Sequence, residues 1–419
     1  MSMLEENMGF ECRFPFDPLP ESALELFRKW RDDGRLGFVS LPGDRGLLER
    51  TLELAGSIPR EIETVIVDGI GGSALGLKAI LSACGAPLRG RRPVIVVDSP
   101  DAATLRRVQD SADPRTTMLV VITKSGSTAE TAAVFLQLWR WFEESGVAPR
   151  VVAVTDPGSG DLRRLVEDRG WPSLPVPRQV GGRYSVLSPV GLFPAALAGL
   201  DAGGLLLGAR EALEDFEARG AASLPCRMAS AAFSRFASHP VHAFFTYCDS
   251  LYETGLWFAQ LWAESLGKRL SLSGEEVFTG QTPLACRGPA DQHSLVQLFM
   301  EGPADKYVTI LTVTEEAPPL PGGFGAYPSF GWLEGRTVQE LRNAEASATA
   351  SALSERGLPV SRISLQGPPG EAAMGRLMMS LELATVLTGL ALGVDPLDQP
   401  GVERGKQMTY REMGRAGYR

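Results

Sequence analysis

The sequence predicts an α/β fold built as two α-β-α sandwiches with mainly parallel sheets. Two observations carry this. Short, almost wholly apolar runs at residues 64–67, 93–97, 117–122 and 150–154 alternate with stretches whose apolar residues recur at helical spacing. After a polar, glycine-rich crossing at 201–208, the alternation resumes with unrelated sequences. Strands are expected there at 242–247, 282–286, 306–312 and 361–365. Continuous apolar runs belong to strands buried on both faces, and strand–helix alternation belongs to parallel crossover units.

Taken in order, residues 1–45 read as an irregular segment, with Pro15, Pro18, Pro20 and Pro42 around one helix at 22–33. The first domain is expected over 46–204. It opens with a helix at 46–55 and has further helices at 77–84, from Ala102, and at 132–144. The second domain is expected over 205–396, with a strongly apolar helix at 251–266 and others at 337–356 and 371–392. A C-terminal segment, 397–419, enters a last short helix.

Charge is 41 minus 50, or −9. That balance argues against a nucleic-acid backbone as the main partner, so a site for an anionic substrate must be locally positive. The five cysteines show no CxxC or ligand spacing, as expected of reduced thiols in a cytoplasmic protein. The first residues lack a basic and then apolar leader pattern. The longest apolar stretch, 377–394, is broken by Glu382, Thr385, Thr388 and Gly389, so it reads as a buried helix and not a membrane span.

The chemistry concentrates in the loops. Between the strand at 117–122 and the next helix lie Thr123, Lys124, Ser125, Gly126, Ser127 and Thr128. A Ser/Thr N-cap is ordinary, but four hydroxyls beside a lysine exceed the need of one cap. At a helix amino end they suit a phosphate group. The turn Gly69-Ile70-Gly71-Gly72-Ser73-Ala74 fits the dinucleotide fingerprint, and Asp98 ends the next strand where a ribose-binding acid would sit. That competing reading leaves the second hydroxyl loop unused, whereas two such loops on one sheet suit one phosphate gripped from two sides. Gly181 and Gly182 permit close backbone approach beside Arg183, although a turn with a surface arginine has the same sequence.

Among three histidines, His239 and His242 read as structural, and His293 lies in a Gly/Pro/Asp-rich loop opening a helix. Glu264 ends an apolar helix, where the helix dipole disfavours a carboxylate. The plain alternative is an i,i+4 ion pair with Lys268. Lys406 reads by default as a surface lysine. No Ser/His/Asp motif, metal-ligand cluster or Walker loop occurs.

Six segments then fall in one register. They are Gly69–Gly76, Lys124–Thr131, Val180–Gly191, Glu264–Lys268, Gly288–Ser294 and Gln399–Lys406. Together they resemble the glucose-6-phosphate isomerase family, which is built from two sugar-isomerase domains. The resemblance implies that Ser73, Lys124, Ser125, Ser127 and Thr128 line a phosphate pocket through hydroxyls and backbone. Gly71, Gly72 and Gly182 would give backbone approach. Glu264 matches the family's catalytic base, and Arg183 the residue that steadies the enediolate. His293 and Lys406 match the ring-opening pair, and Glu130 a carboxylate near that histidine. The histidine reaches the site from the other subunit, which implies a homodimer with a shared site. No cofactor and no metal are implied. Ser127 stands where threonine is common, and Tyr184 where phenylalanine is frequent. A sugar-phosphate-sensing regulator would keep the phosphate loops, but would usually carry a DNA-binding or effector domain, and none is visible.

The residue types agree with that chemistry. Aldose–ketose isomerisation moves a proton between adjacent carbons, so one ionised carboxylate can remove and return it. An always-protonated arginine suits the charge that develops on the way.

Overall fold

The computed structural model describes residues 8–85 and 92–418, so the leader reading of the first seven residues lies outside it. The chain enters through β1 (Met8–Cys12), and β2 (Thr64–Asp68), β3 (Val94–Val97), β4 (Thr117–Thr123), β5 (Arg150–Thr155) and β6 (Ser173–Pro175) make the first sheet. Its order is β3-β2-β4-β5-β6, and every pairing is parallel. All of β4 is buried. Because side chains alternate across a strand, Val65, Val67, Val120 and Ile122 face one helical layer, while Ile66, Leu119 and Val121 face the other. Leu77, Val190 and Phe193 supply the first layer, and Val134, Leu138 and Phe142 help supply the second.

In the second half come β7 (Val241–Tyr247), a small antiparallel hairpin of β8 (Lys268–Leu270) and β9 (Glu276–Thr279), then β10 (Thr282–Arg287), β11 (Lys306–Thr314) and β12 (Val360–Gln366). The second sheet runs β1-β12-β11-β7-β10. Its one antiparallel pair is β1 on β12, with Met8 opposite Leu365 and Cys12 opposite Ser361. The amino-terminal segment is therefore not wholly irregular. Five residues with only Met8 and Phe10 buried are too short a pattern to read locally, and the edge of a distant strand supplies the ladder.

The glycine-rich stretch at 201–208 is not a crossing. It opens the helix Ala202–Arg219, which packs along the nearly all-buried helix Glu371–Ala391. A Cβ at Gly208 would fall 1.7 Å from the Ala372 carbonyl oxygen, and one at Gly375 would fall 1.8 Å from that of Leu205. The two backbones touch reciprocally, and only glycine leaves room. Helices Asp161–Arg169 and Leu224–Phe236 also lie where no helix is expected. Among the described residues no helix is long and apolar enough to cross a membrane.

Candidate active site

The carboxyl ends of β2 and β4 carry the two hydroxyl-bearing turns. Gly71–Ser73 forms one turn of 3-10 helix, with Gly71 at φ +59°. A Cβ at Gly72 would lie 2.3 Å from the carbonyl group of Gly182, and one at Gly71 would lie 2.9 Å from Gln260 Nε2. The first turn thus rests backbone to backbone on the turn that carries Arg183. Gly182 itself has nothing within 4 Å of where its Cβ would be, so its part in the close approach is played by its carbonyl.

In the second turn, Thr123 Oγ1 lies 3.0 Å from Thr128 Oγ1, and Ser125 Oγ lies 3.4 Å from both Thr128 Oγ1 and Ser127 Oγ. Gly126, at φ +65°, folds the hydroxyls onto one another. Thr128 precedes the helix Ala129–Glu144 but makes no side-chain cap bond to it. The ordinary N-cap reading therefore fails, and the amide groups of the first helical turn keep their capacity for an anion. Lys124 is different. Its ammonium donates to the carbonyls of Arg178 and Val180 at 2.8 and 2.9 Å, away from the hydroxyls. Burial lowers its pKa, and its side chain pins the segment leading into Arg183. Ser73 Oγ has no hydrogen-bond partner among the described residues.

Arg183 is 2% exposed, so the surface-arginine alternative is excluded. Nε donates to Ser265 Oγ at 2.7 Å, Nη1 to Gln399 Oε1 at 2.6 Å, and Nη2 to the carbonyls of Pro396 and Asp398 at 2.6 and 3.0 Å. Nη1 also stands 3.5 Å from Glu264 Oε2. Gln260 Nε2 donates to Glu264 Oε1 at 3.0 Å. Glu264 does not pair with Lys268. The helix Tyr252–Leu266 stops, Gly267 is extended, and the Lys268 ammonium turns to Asp398. A cleft of about 750 Å³ opens here, lined in part by Glu264, Lys268, Asp398, Gln399 and Val402.

Three expected residues stand apart from this centre. Among the described residues, neither His293, Lys406 nor Glu130 bonds to Glu264 or Arg183. Lys406 lies on the exposed helix Glu403–Glu412 and pairs with Glu403 at 2.8 Å. Tyr410, one turn on and on the same face, donates its hydroxyl to the Ser127 carbonyl at 3.3 Å, which seats this helix beside the hydroxyl loop. Glu130 is exposed in the first turn after that loop. His293 is exposed beyond the carboxyl end of β10, whereas Glu264 lies towards the amino edge of the same sheet, near where Trp262 Nε1 donates to Gln281. Six residues of strand at ~3.3 Å each put about 20 Å between those two edges. His242 is buried and bonded to Thr309 at 2.9 Å, and burial pushes its pKa down to about 3. Asp98, the acid of the dinucleotide reading, is held by Lys78 at 3.1 Å.

A family model described as phosphoglucose isomerase matches residues 49–315. The chain belongs to that family. It is 42% identical to the glucose-6-phosphate isomerase of Rubrobacter xylanophilus over 91% of this chain and 90% of that one. It is 38% identical to that of a Thermus thermophilus strain over 94% of both. The crystal structure of hypothetical protein TT0462, from another strain of Thermus thermophilus, superposes with a TM-score of 0.85 at 37% identity, covering 95% and 94%. A glucose-6-phosphate isomerase of Chlamydia trachomatis shares the fold at TM-score 0.78 and 22% identity, covering 88% and 73%.

For this member of the phosphoglucose isomerase family, sequence reasoning missed Gln260, Ser265 and Gln399 as parts of the centre. Gln260 had a usable signal, since it precedes Glu264 by one helical turn. Gln399 opened a segment singled out for its lysine, and nothing local tied it to an arginine 216 positions away.

Proposed function

We propose that this chain interconverts glucose 6-phosphate and fructose 6-phosphate by ring opening and proton transfer through a cis-enediolate. The observation that carries the reading is the buried Arg183 guanidinium standing 3.5 Å from the Glu264 carboxylate at the mouth of a cleft. The hydroxyl turns, the first of which rests on the backbone of the turn that carries Arg183, give the substrate's phosphate a place away from the reacting carbons. Binding energy from the phosphate then aligns those carbons.

Glu264 takes the proton from C2, electrons move to the C1 oxygen, and Arg183 faces the negative charge that develops. The same carboxylate returns the proton to C1 while the C2 hydroxyl gives up its proton to the C1 oxygen, leaving the ketone at C2. Arg183 needs no reorganisation at that moment, because its other donors are already fixed by Ser265, Gln399 and two backbone carbonyls. Ser73, Ser125, Ser127 and Thr128 grip the phosphate by hydroxyl and backbone donors, and Lys124 contributes by holding the Arg183 turn. His293 and Lys406 handle the ring oxygen and its hydroxyl proton, with Glu130 beside the histidine. Since His293 lies about 20 Å from its own Glu264 edge by strand length, it serves the site of a second copy, and the enzyme acts as a homodimer. Glycolysis and gluconeogenesis in the cytoplasm are the setting of this reaction.

The test is a coupled assay on fructose 6-phosphate with chelator present and no added cofactor. Isomerisation is expected; none under these conditions overturns the reading. The shared site has its own test. Mixing inactive His293→Ala and Glu264→Ala proteins should partly restore activity through heterodimers. No recovery after verified subunit exchange removes His293 from the partner's site.

A further inference from the structure

We propose that Lys268 is a positioning residue for the isomerase reaction: with Asp398 it clamps segment 396–399 and so sets where Gln399 and Arg183 stand beside Glu264. The inference rests on the proposed function and assigns a task to a residue that local sequence pairs with Glu264 instead.

Lys268 is the first residue of β8 and is 6% exposed. A buried ammonium must find partners, because leaving it unpaired costs far more than any single contact returns. Its partners are both on Asp398: it donates to the backbone carbonyl, and to Oδ1 at 2.7 Å. That same carbonyl accepts from Arg183 Nη2 at 3.0 Å. One oxygen is thereby shared between two cations, and the adjoining Asp398 carboxylate, bonded to one of them, offsets their repulsion. The next residue, Gln399, gives its amide oxygen to Arg183 Nη1 at 2.6 Å.

Arg35 holds Asp395 at 3.0 Å and the Tyr184 hydroxyl donates to the Pro396 carbonyl at 3.2 Å, so the start of the segment is anchored beside Arg183. At its far end, Asp398 and Gln399 have only Arg183 and Lys268 among the described residues, and held by Arg183 alone that end could swing about the guanidinium and shift Gln399 relative to Glu264. Lys268 comes from the other side. Its backbone is fixed by pairing with Thr279, and the hairpin tip is tied just ahead of that segment, where Leu272 N donates to the Gly393 carbonyl at 2.7 Å. The swing is blocked, and Arg183 keeps one orientation. Lys268 and Asp398 both line the cleft beside Glu264, so the clamp stands next to the reacting centre.

The experiment uses the full-length protein and fructose 6-phosphate. Lys268→Met keeps the apolar stem and removes the ammonium. It should lower kcat about 10- to 100-fold while KM moves less than about threefold, since a bond to a charged group is lost outside the substrate's own contacts. Lys268→Arg should restore most of the rate. In a Gln399→Ala background, Lys268→Met should cost much less than it does alone, because part of what it positions is gone. Wild-type kcat in Lys268→Met, or a fully additive loss with Gln399→Ala, overturns the clamp. Asp398→Asn leaves both carbonyl bonds and reads the clamp even where Lys268→Met does not fold. There a loss of about 3- to 10-fold in kcat is expected, and no loss overturns it. A wild-type protein without isomerase activity fails the proposed function itself, whereas an active wild type with these effects absent fails only the clamp.

Discussion

The hydroxyl loop and the arginine centre are built on opposite plans. In the loop, Thr123, Ser125, Ser127 and Thr128 bond one another across at most five positions of sequence. The side-chain partners of Arg183 lie 81 to 216 positions away. The loop is a local device at a strand-to-helix junction, ready for an anion once one strand and one helix exist. The centre exists only when the end of one apolar helix, the turn at 181–183 and the segment at 396–399 meet. A change in the loop should therefore touch binding and spare the fold, while a change at the centre should touch both rate and stability.

The largest expected effect separates base from scaffold. Glu264→Gln keeps volume and most hydrogen bonding but accepts no proton, so kcat should fall at least ~10²–10⁴-fold with the fold intact. Solvent deuterium should enter fructose 6-phosphate at C1 with the wild type and not measurably with the variant. Near wild-type exchange in the variant would move the base elsewhere, with Glu130 next in line.

Arg183→Lys sharpens the contrast because it keeps the charge but loses the fork that reaches several acceptors at once. We expect kcat/KM to fall by about 10²–10³-fold, as when one preorganised transition-state donor is removed. The melting temperature should fall as well, because the carbonyls of Pro396 and Asp398 each lose one of their two donors. A drop in rate with unchanged melting would show that the arginine does not hold the segment.

Thr128→Ala tests the loop side. Losing one hydrogen bond to a charged phosphate should raise KM by roughly 10- to 100-fold, with little change in melting because Thr128 caps no helix. Unchanged affinity would put the phosphate elsewhere, and a large loss of stability would break the contrast from the other direction.

The last expectation concerns pH and leaves catalysis untouched. Asp68 ends β2 just before the glycine turn, 1% exposed, and burial pushes its pKa up to about 8, from an ordinary value of 3.8. Between those values the folded chain holds a proton that the unfolded chain has released. Stability should thus fall as pH rises through that window and level off above it, by up to about 1.4 kcal/mol per pH unit. His242 acts in the opposite direction. Its pKa drops from 6.5 to about 3, so the unfolded chain takes the extra proton and stability falls as pH drops through that interval. Denaturant titrations from pH 6 to 9 should show a flatter alkaline arm for Asp68→Asn than for the wild type; parallel arms would mean that Asp68 is ionised in the fold.

The sequence by itself determined the parallel strands, because β2, β4 and β5 must be apolar on both faces and so announce themselves. It also determined the hydroxyl loop and the glycine turn, whose chemistry is contained in a few consecutive residues. Tertiary structure decided the rest. It turned the Lys124 ammonium towards two backbone carbonyls, turned Lys268 away from Glu264 to Asp398, and gave Gly208 and Gly375 a packing reason that no local pattern carries. It placed the exposed His293 on the edge of its sheet away from Glu264. The physical reason is the same in each case. A side chain's identity says which bonds it must make when buried, but the partner that satisfies them is chosen by whichever distant segment the core brings within about 3 Å.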